Sequence, residues 1–72
     1  MAAQDKRNES ADEFAVVAQL RPADAVSQYN LAIALARAGR IDEAIAHFSE
    51  ALRLKPDFEA ARRDLQVAEG QR

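Results

Sequence analysis

Apolar residues recur along most of the chain at three- and four-residue spacing, the periodicity of an amphipathic α-helix. Proline and glycine interrupt this pattern at four positions only, namely Pro22, Gly39, Pro56 and Gly70. Because proline cannot continue a helix and glycine favours the left-handed turn after one, these residues mark helix ends. The pattern therefore predicts an all-α fold of about four antiparallel helices, over residues 10–20, 25–38, 42–54 and 58–69.

Polar residues lie at the start of one of these segments and directly before two others, and they suit helix starts. Ser10 followed by Glu13 has the spacing of a capping box. Asp24 and Asp57 are suited to cap the second and fourth helices. We expect a flexible N-terminus over residues 1–9, a single helical domain over 10–69 and a flexible C-terminus over 70–72.

The sequence repeats itself at a spacing of 34 residues. This shift aligns Phe14 with Phe48 and Pro22 with Pro56. A fixed period in this range is typical of stacked helical hairpins, each of which is unable to bury its apolar face alone. The chain then contains one whole unit, residues 25–58, flanked by two half units.

Composition restricts the possible partners. The 72 residues include no cysteine and carry a formal net charge of -2, the wrong sign for binding a phosphate backbone through a basic surface. No run approaches the ~18 apolar residues of a membrane helix, and the first ten residues lack the apolar segment of a secretion signal. We therefore expect a cytoplasmic protein with no nucleic-acid partner and no membrane insertion.

Candidate chemistry is sparse. The single histidine, His47, lies between Glu43 and Glu50 at helical spacing. A metal site needs a complete ligand set, and a lone histidine among surface glutamates is far more often solvated. No serine has a histidine base beside it, and there is no glycine-rich phosphate loop. We expect no enzyme activity, no metal site and no cofactor.

The whole unit has a specific arrangement of apolar residues on its two helices. The key positions are held by Gln28, Leu31, Ala32, Leu35, Ala44, Phe48, Ala51 and Pro56. With these residues the unit resembles a tetratricopeptide repeat, although Gln28, Ala32 and Leu35 replace the tryptophan, glycine and tyrosine of that pattern. The resemblance implies a helical-hairpin fragment of an α-solenoid, with residues 58–69 as its capping helix.

In this family the first helices of successive repeats line a concave groove that receives an extended peptide or a helix of a partner. The resemblance thus implies a protein–protein interaction module, a scaffold or adaptor within a larger array, with a protein or peptide ligand. The helical wheel assigns seven residues to this groove: Val26, Tyr29, Asn30, Ile33, Arg37, Arg63 and Val67. Tyr29 and Arg37 belong to types favoured in binding hot spots. An equal alternative is that Val26, Tyr29 and Ile33 pack against neighbouring helices.

Self-assembly is the alternative function. The first helix matches only the second half of a repeat, so its partner helix is missing. A second copy could cover its apolar face by a two-fold contact, or the copies could exchange a helix. The sequence predicts a homodimer, a structural or regulatory module, through Ala11, Phe14, Val17 and Ala18.

Overall fold

The computed structural model describes residues 2–72, and the side chains of residues 8–72, as four helices without a strand in that range. The helices are α1 (Ala2–Leu20), α2 (Ala25–Arg37), α3 (Ile41–Leu54) and α4 (Glu59–Gly70). They account for 80% of the chain. The predicted all-α class is therefore confirmed.

Helix α1 begins eight residues earlier than the pattern predicted. Ser10 and Glu13 lie inside α1, so the predicted capping box at Ser10 is wrong. Residues 2–9 are mostly strong helix formers, and no proline or glycine occurs before Pro22. A favourable cap residue fixes a helix start only where the helix is prevented from extending further. The segment predicted as a flexible N-terminus thus has helical backbone from Ala2, while Met1 lies outside the described residues.

The two predicted aspartate caps differ. Asp24 caps α2, because its side chain accepts hydrogen bonds from Val26 N at 3.0 Å and from Ser27 Oγ at 3.1 Å. The N-cap of α4 is Phe58, which makes no side-chain cap bond, so capping by Asp57 is wrong. The reason is a turn in which Phe58 N donates to Lys55 O at 3.0 Å, which moves the helix start beyond Asp57.

A glycine turn reverses the chain between α2 and α3. Gly39 has a φ of 82°, in the left-handed region. Its N–H donates to Ala36 O at 3.1 Å, and Arg40 N donates to Leu35 O at 2.9 Å. These two bonds form a Schellman motif, which satisfies carbonyls that the end of a helix leaves without partners. The short turn places α2 and α3 side by side as an antiparallel pair.

The core lies between helices that are consecutive in the chain, since α2 packs on α1 and α3, and α3 packs on α4. Four alanines at these contacts have no exposed surface: Ala32, Ala44, Ala51 and Ala61. Such small side chains let helix axes approach closely. Phe48 is the largest fully buried side chain, and it lies with Leu31 and Leu35 in one apolar cluster.

Candidate functional site

A cavity of about 220 Å³ opens between α2 and α4. The side chains that line it are Ile33, Ala36 and Arg37 of α2, Phe48 of α3, and Asp64, Val67, Ala68 and Gln71. Most of these groups are apolar, and Phe48 is almost completely buried beneath the cavity. Two charged side chains and one amide add polar groups to an otherwise apolar space.

The predicted groove residues divide into two groups. Ile33, Arg37 and Val67 line the cavity, where Val67 is 55% exposed. Val26 and Arg63 are exposed, and Asn30 is half-buried, but none of these three contributes to the cavity lining. Three of the residues that the helical wheel assigned to the groove therefore lie on the faces of α2 and α4 that line the cavity.

Tyr29 packs in an aromatic cluster beside the cavity. Its ring centroid is 4.9 Å from that of Phe58 and 5.9 Å from that of Phe48. Its hydroxyl donates a hydrogen bond to Asp64 Oδ2 at 2.6 Å. This bond is the main reason why the pKa of Tyr29 is raised, and burial and the negative charge of Asp64 act in the same direction. Tyr29 thus links α2 to α4.

Asp64 and Gln71 are site residues that the sequence analysis missed. They lie 34 residues after Asn30 and Arg37, at the equivalent positions of the next unit. Arg37 lines the cavity as Gln71 does, whereas Asn30, a predicted groove residue, does not line it although Asp64 does. The internal period carried the signal for both residues, whereas no pattern distinguished Ala36.

His47 and Gln28 interact away from the cavity. His47 Nδ1 lies 2.8 Å from Gln28 Oε1, and Gln28 Nε2 donates to Pro22 O at 3.4 Å. The buried amide of Gln28, at the tryptophan position of the pattern, is therefore hydrogen-bonded. Among the side chains of residues 8–72, no three histidine, cysteine, aspartate or glutamate groups are arranged to hold a metal ion.

The hairpin formed by α2, the Gly39 turn and α3 lies within a segment that matches a known protein family. The model of the tetratricopeptide repeat family matches residues 25–58. Residues 25–58 are a tetratricopeptide repeat. The repeat supplies the α2 side of the cavity and Phe48, and the following helix supplies the other side. Tetratricopeptide repeats are typically non-catalytic interaction modules. No curated protein and no solved structure matches the chain significantly.

None of the helices in the range 2–72 combines the length and the apolar character that a membrane span requires.

On the other side of the repeat, α1 presents a partly apolar surface. Ala11 and Ala18 are buried in the core because they face α2, so they offer no surface to a second copy. Phe14, Val17 and Leu20 are 38%, 43% and 78% exposed. We call these three residues the open face of α1.

The internal period shows what covers the equivalent face one unit later. Phe14 corresponds to Phe48, which is 1% exposed and contacts Tyr29 of α2, and Val17 corresponds to Ala51, which is 0% exposed. Helix α2 covers α3 within the tetratricopeptide repeat. No helix in the described part of the chain plays that role for α1.

Proposed function

We propose that the chain is a protein-binding module that holds an extended peptide or a helix of a partner protein in the cavity between α2 and α4. The observation that supports this most is the composition of the cavity lining. Ligand sites are typically concave and mostly apolar, with a few polar groups that orient the ligand. This cavity has that composition, and it lies on a tetratricopeptide repeat.

The lining suggests the chemistry of the ligand. An apolar side chain placed between Ile33 and Val67, above Phe48, leaves water for an apolar environment, which is favourable. Asp64 accepts one hydrogen bond from Tyr29, and a carboxylate has lone pairs for further N–H donors. Gln71 offers both a donor and an acceptor. The ligand we expect is a peptide segment that presents one bulky apolar side chain beside free backbone N–H and C=O groups.

Binding is tested with peptides selected from a random library against the immobilised chain, whose dissociation constants are then measured by calorimetry. Val67→Lys places an ammonium group in the apolar cavity, and we expect it to raise the dissociation constant about ten-fold or more. Val16→Lys on α1 is the matched control, because both valines are 55% exposed. Selected peptides that bind both variants as tightly as the wild type would place the binding site elsewhere.

The open face of α1 favours a second function, self-assembly as a structural or regulatory homodimer. Contiguous exposed apolar side chains mark interaction sites, and the equivalents of Phe14 and Val17 one repeat later are buried. The dimer would cover side chains that the repeat pattern normally buries. This proposal differs from the sequence prediction, since Ala11 and Ala18 take no part in the contact.

Light scattering on a size-exclusion peak at tens of micromolar tests this second function. We expect a mass about twice the 7.9 kDa of one chain. Val17→Lys should give a single-chain mass, because a charge replaces an apolar contact. Val16→Lys, about 100° away around the helix, should leave the dimer intact. A wild-type mass of one chain at every concentration would refute self-assembly.

A further inference from the structure

We infer that two copies of the chain pair α1 against α1 in antiparallel orientation, across a two-fold axis that passes through Val17. The inference rests on the self-assembly function proposed above and adds its geometry. In a two-fold antiparallel helix pair, a residue before the axis lies opposite the residue equally far after it in the other copy. The side chains around Val17 are complementary under this operation.

The apolar residues of the open face match each other. Phe14 and Leu20 lie three residues before and three residues after Val17, on the same side of α1. Phe14 of each copy therefore meets Leu20 of the other, and Val17 meets its own equivalent. Leu20 is 78% exposed, the largest fraction of the three. Covering it contributes most to association, because the free energy of burying apolar surface is roughly proportional to the area removed from water.

Two charged residues flank the open face. Glu13 and Arg21 lie four residues before and four residues after Val17, and both are exposed. Arg21 follows the last residue of α1 but continues its path, because Arg21 N donates to Val17 O at 2.9 Å. Neither residue has an ion-pair partner among residues 8–72. Both are thus available to a second copy.

The charges select antiparallel pairing. The two-fold axis places Glu13 of each copy opposite Arg21 of the other, which gives two identical ion pairs per dimer. Parallel pairing would instead place Glu13 against Glu13 and Arg21 against Arg21, and like charges at contact disfavour an association. A different partner protein would not require opposite charges at equal distances from one valine. The symmetry of the pattern therefore favours a second copy as the occupant.

Charge reversal tests this geometry in sedimentation or light-scattering titrations of the full chain. In a dimer of the Glu13→Arg variant, arginine side chains oppose each other at both ends of the contact, and in a dimer of the Arg21→Glu variant, glutamate side chains do so. We expect each variant to raise the dimer dissociation constant about ten-fold, because two exposed pairs change from attraction to repulsion. In a 1:1 mixture of the two variants, the antiparallel heterodimer has an arginine of one copy opposite a glutamate of the other at both ends. Mixing should therefore restore dimerisation close to that of the wild type.

Two further variants separate geometry from folding. The double variant Glu13→Arg/Arg21→Glu carries both helix changes but restores both opposed pairs with their signs exchanged, so it should dimerise like the wild type. Glu69→Arg makes the same charge change on α4 and should have no effect on dimerisation.

The outcomes distinguish the geometry from the function on which it rests. A wild-type dimer whose strength is unchanged by the single variants, as in an exchange of helices, would overturn the geometry and leave self-assembly intact. The geometry would also be overturned if the single variants weaken dimerisation and the double variant does not restore it. A monomeric wild type would overturn both proposals.

Discussion

Phe14 and Phe48 occupy equivalent positions of successive units but have different environments, 38% and 1% exposed. Phe48→Ala should lower the free energy of unfolding by about 3 to 5 kcal/mol, because it leaves a void in the core. Phe14→Ala should lower it by less than about 1 kcal/mol in dilute solution, where the chain is monomeric. Urea unfolding followed by circular dichroism measures both. Equal losses of unfolding free energy in the two variants would mean that Phe14 and Phe48 do not differ in burial in solution.

Tyr29 allows a second residue-scale prediction, because it is the only tyrosine and the chain has no tryptophan. The hydrogen bond to Asp64 raises the pKa of Tyr29 above its ordinary value of about 10. A raised pKa means that the neutral phenol is favoured in the folded chain. The corresponding stabilisation is complete below the unfolded pKa and is lost as the pH rises through the folded pKa.

An ultraviolet absorbance titration of the phenolate reports this directly. We expect a midpoint above that of a free tyrosine, and Asp64→Ala should return it toward the ordinary value. Asp57→Ala, the same change at an exposed aspartate on the loop before α4, should leave the midpoint unchanged. A midpoint that is the same in the wild type and in Asp64→Ala would rule out the hydrogen bond in solution.

At the scale of elements, the two glycines predict opposite effects of one substitution. Gly39 has a positive φ, so Gly39→Ala forces a side chain into the left-handed region and should cost about 1 kcal/mol, although no atom lies within 4 Å of the added Cβ. Gly70 ends α4 in ordinary helical backbone, where alanine is the better helix former. Gly70→Ala should therefore be neutral or stabilise by a few tenths of a kcal/mol. Thermal melts of both variants decide the sign.

The same elements show what the sequence could predict. Asp24, Gly39 and Pro56 delimit α2 and α3, and each predicted bound of these helices lies within one residue of the observed one. Helix α1 had no such residue at its start, so its extension to Ala2 was missed. A proline or glycine stops a helix by steric or conformational means, whereas a cap such as Ser10 only favours a start that is already free to form.

The site was predicted in part for a related reason. Helical periodicity assigns a residue to a face of its own helix, and this was enough for Ile33, Arg37 and Val67. Asp64 reaches Tyr29 across the groove, and that contact depends on how α2 and α4 lie against α3. Periodicity does not determine the relative position of two helices, so a contact between residues 35 positions apart was outside its reach.

At the scale of the whole molecule, self-assembly predicts that stability depends on concentration. A dimer that binds only folded chains raises the melting temperature by mass action. For a chain of this length we expect about 4 °C for each ten-fold increase in concentration, from the usual unfolding entropy per residue. Val17→Lys should abolish this dependence while Val16→Lys retains it. Differential scanning calorimetry over a hundred-fold range of concentration measures it.

The alanines at the helix contacts restrict the substitutions that this sequence can tolerate. Ala32, Ala44, Ala51 and Ala61 have no exposed surface, and only glycine is smaller than alanine. Nearly every replacement therefore adds atoms to a close-packed contact. Glycine would instead loosen the helix backbone. In a gene library randomised at these four codons, the clones that still fold should return mostly alanine, with a few glycines and serines. The close approach of the helix axes thus requires alanine at these positions of the chain.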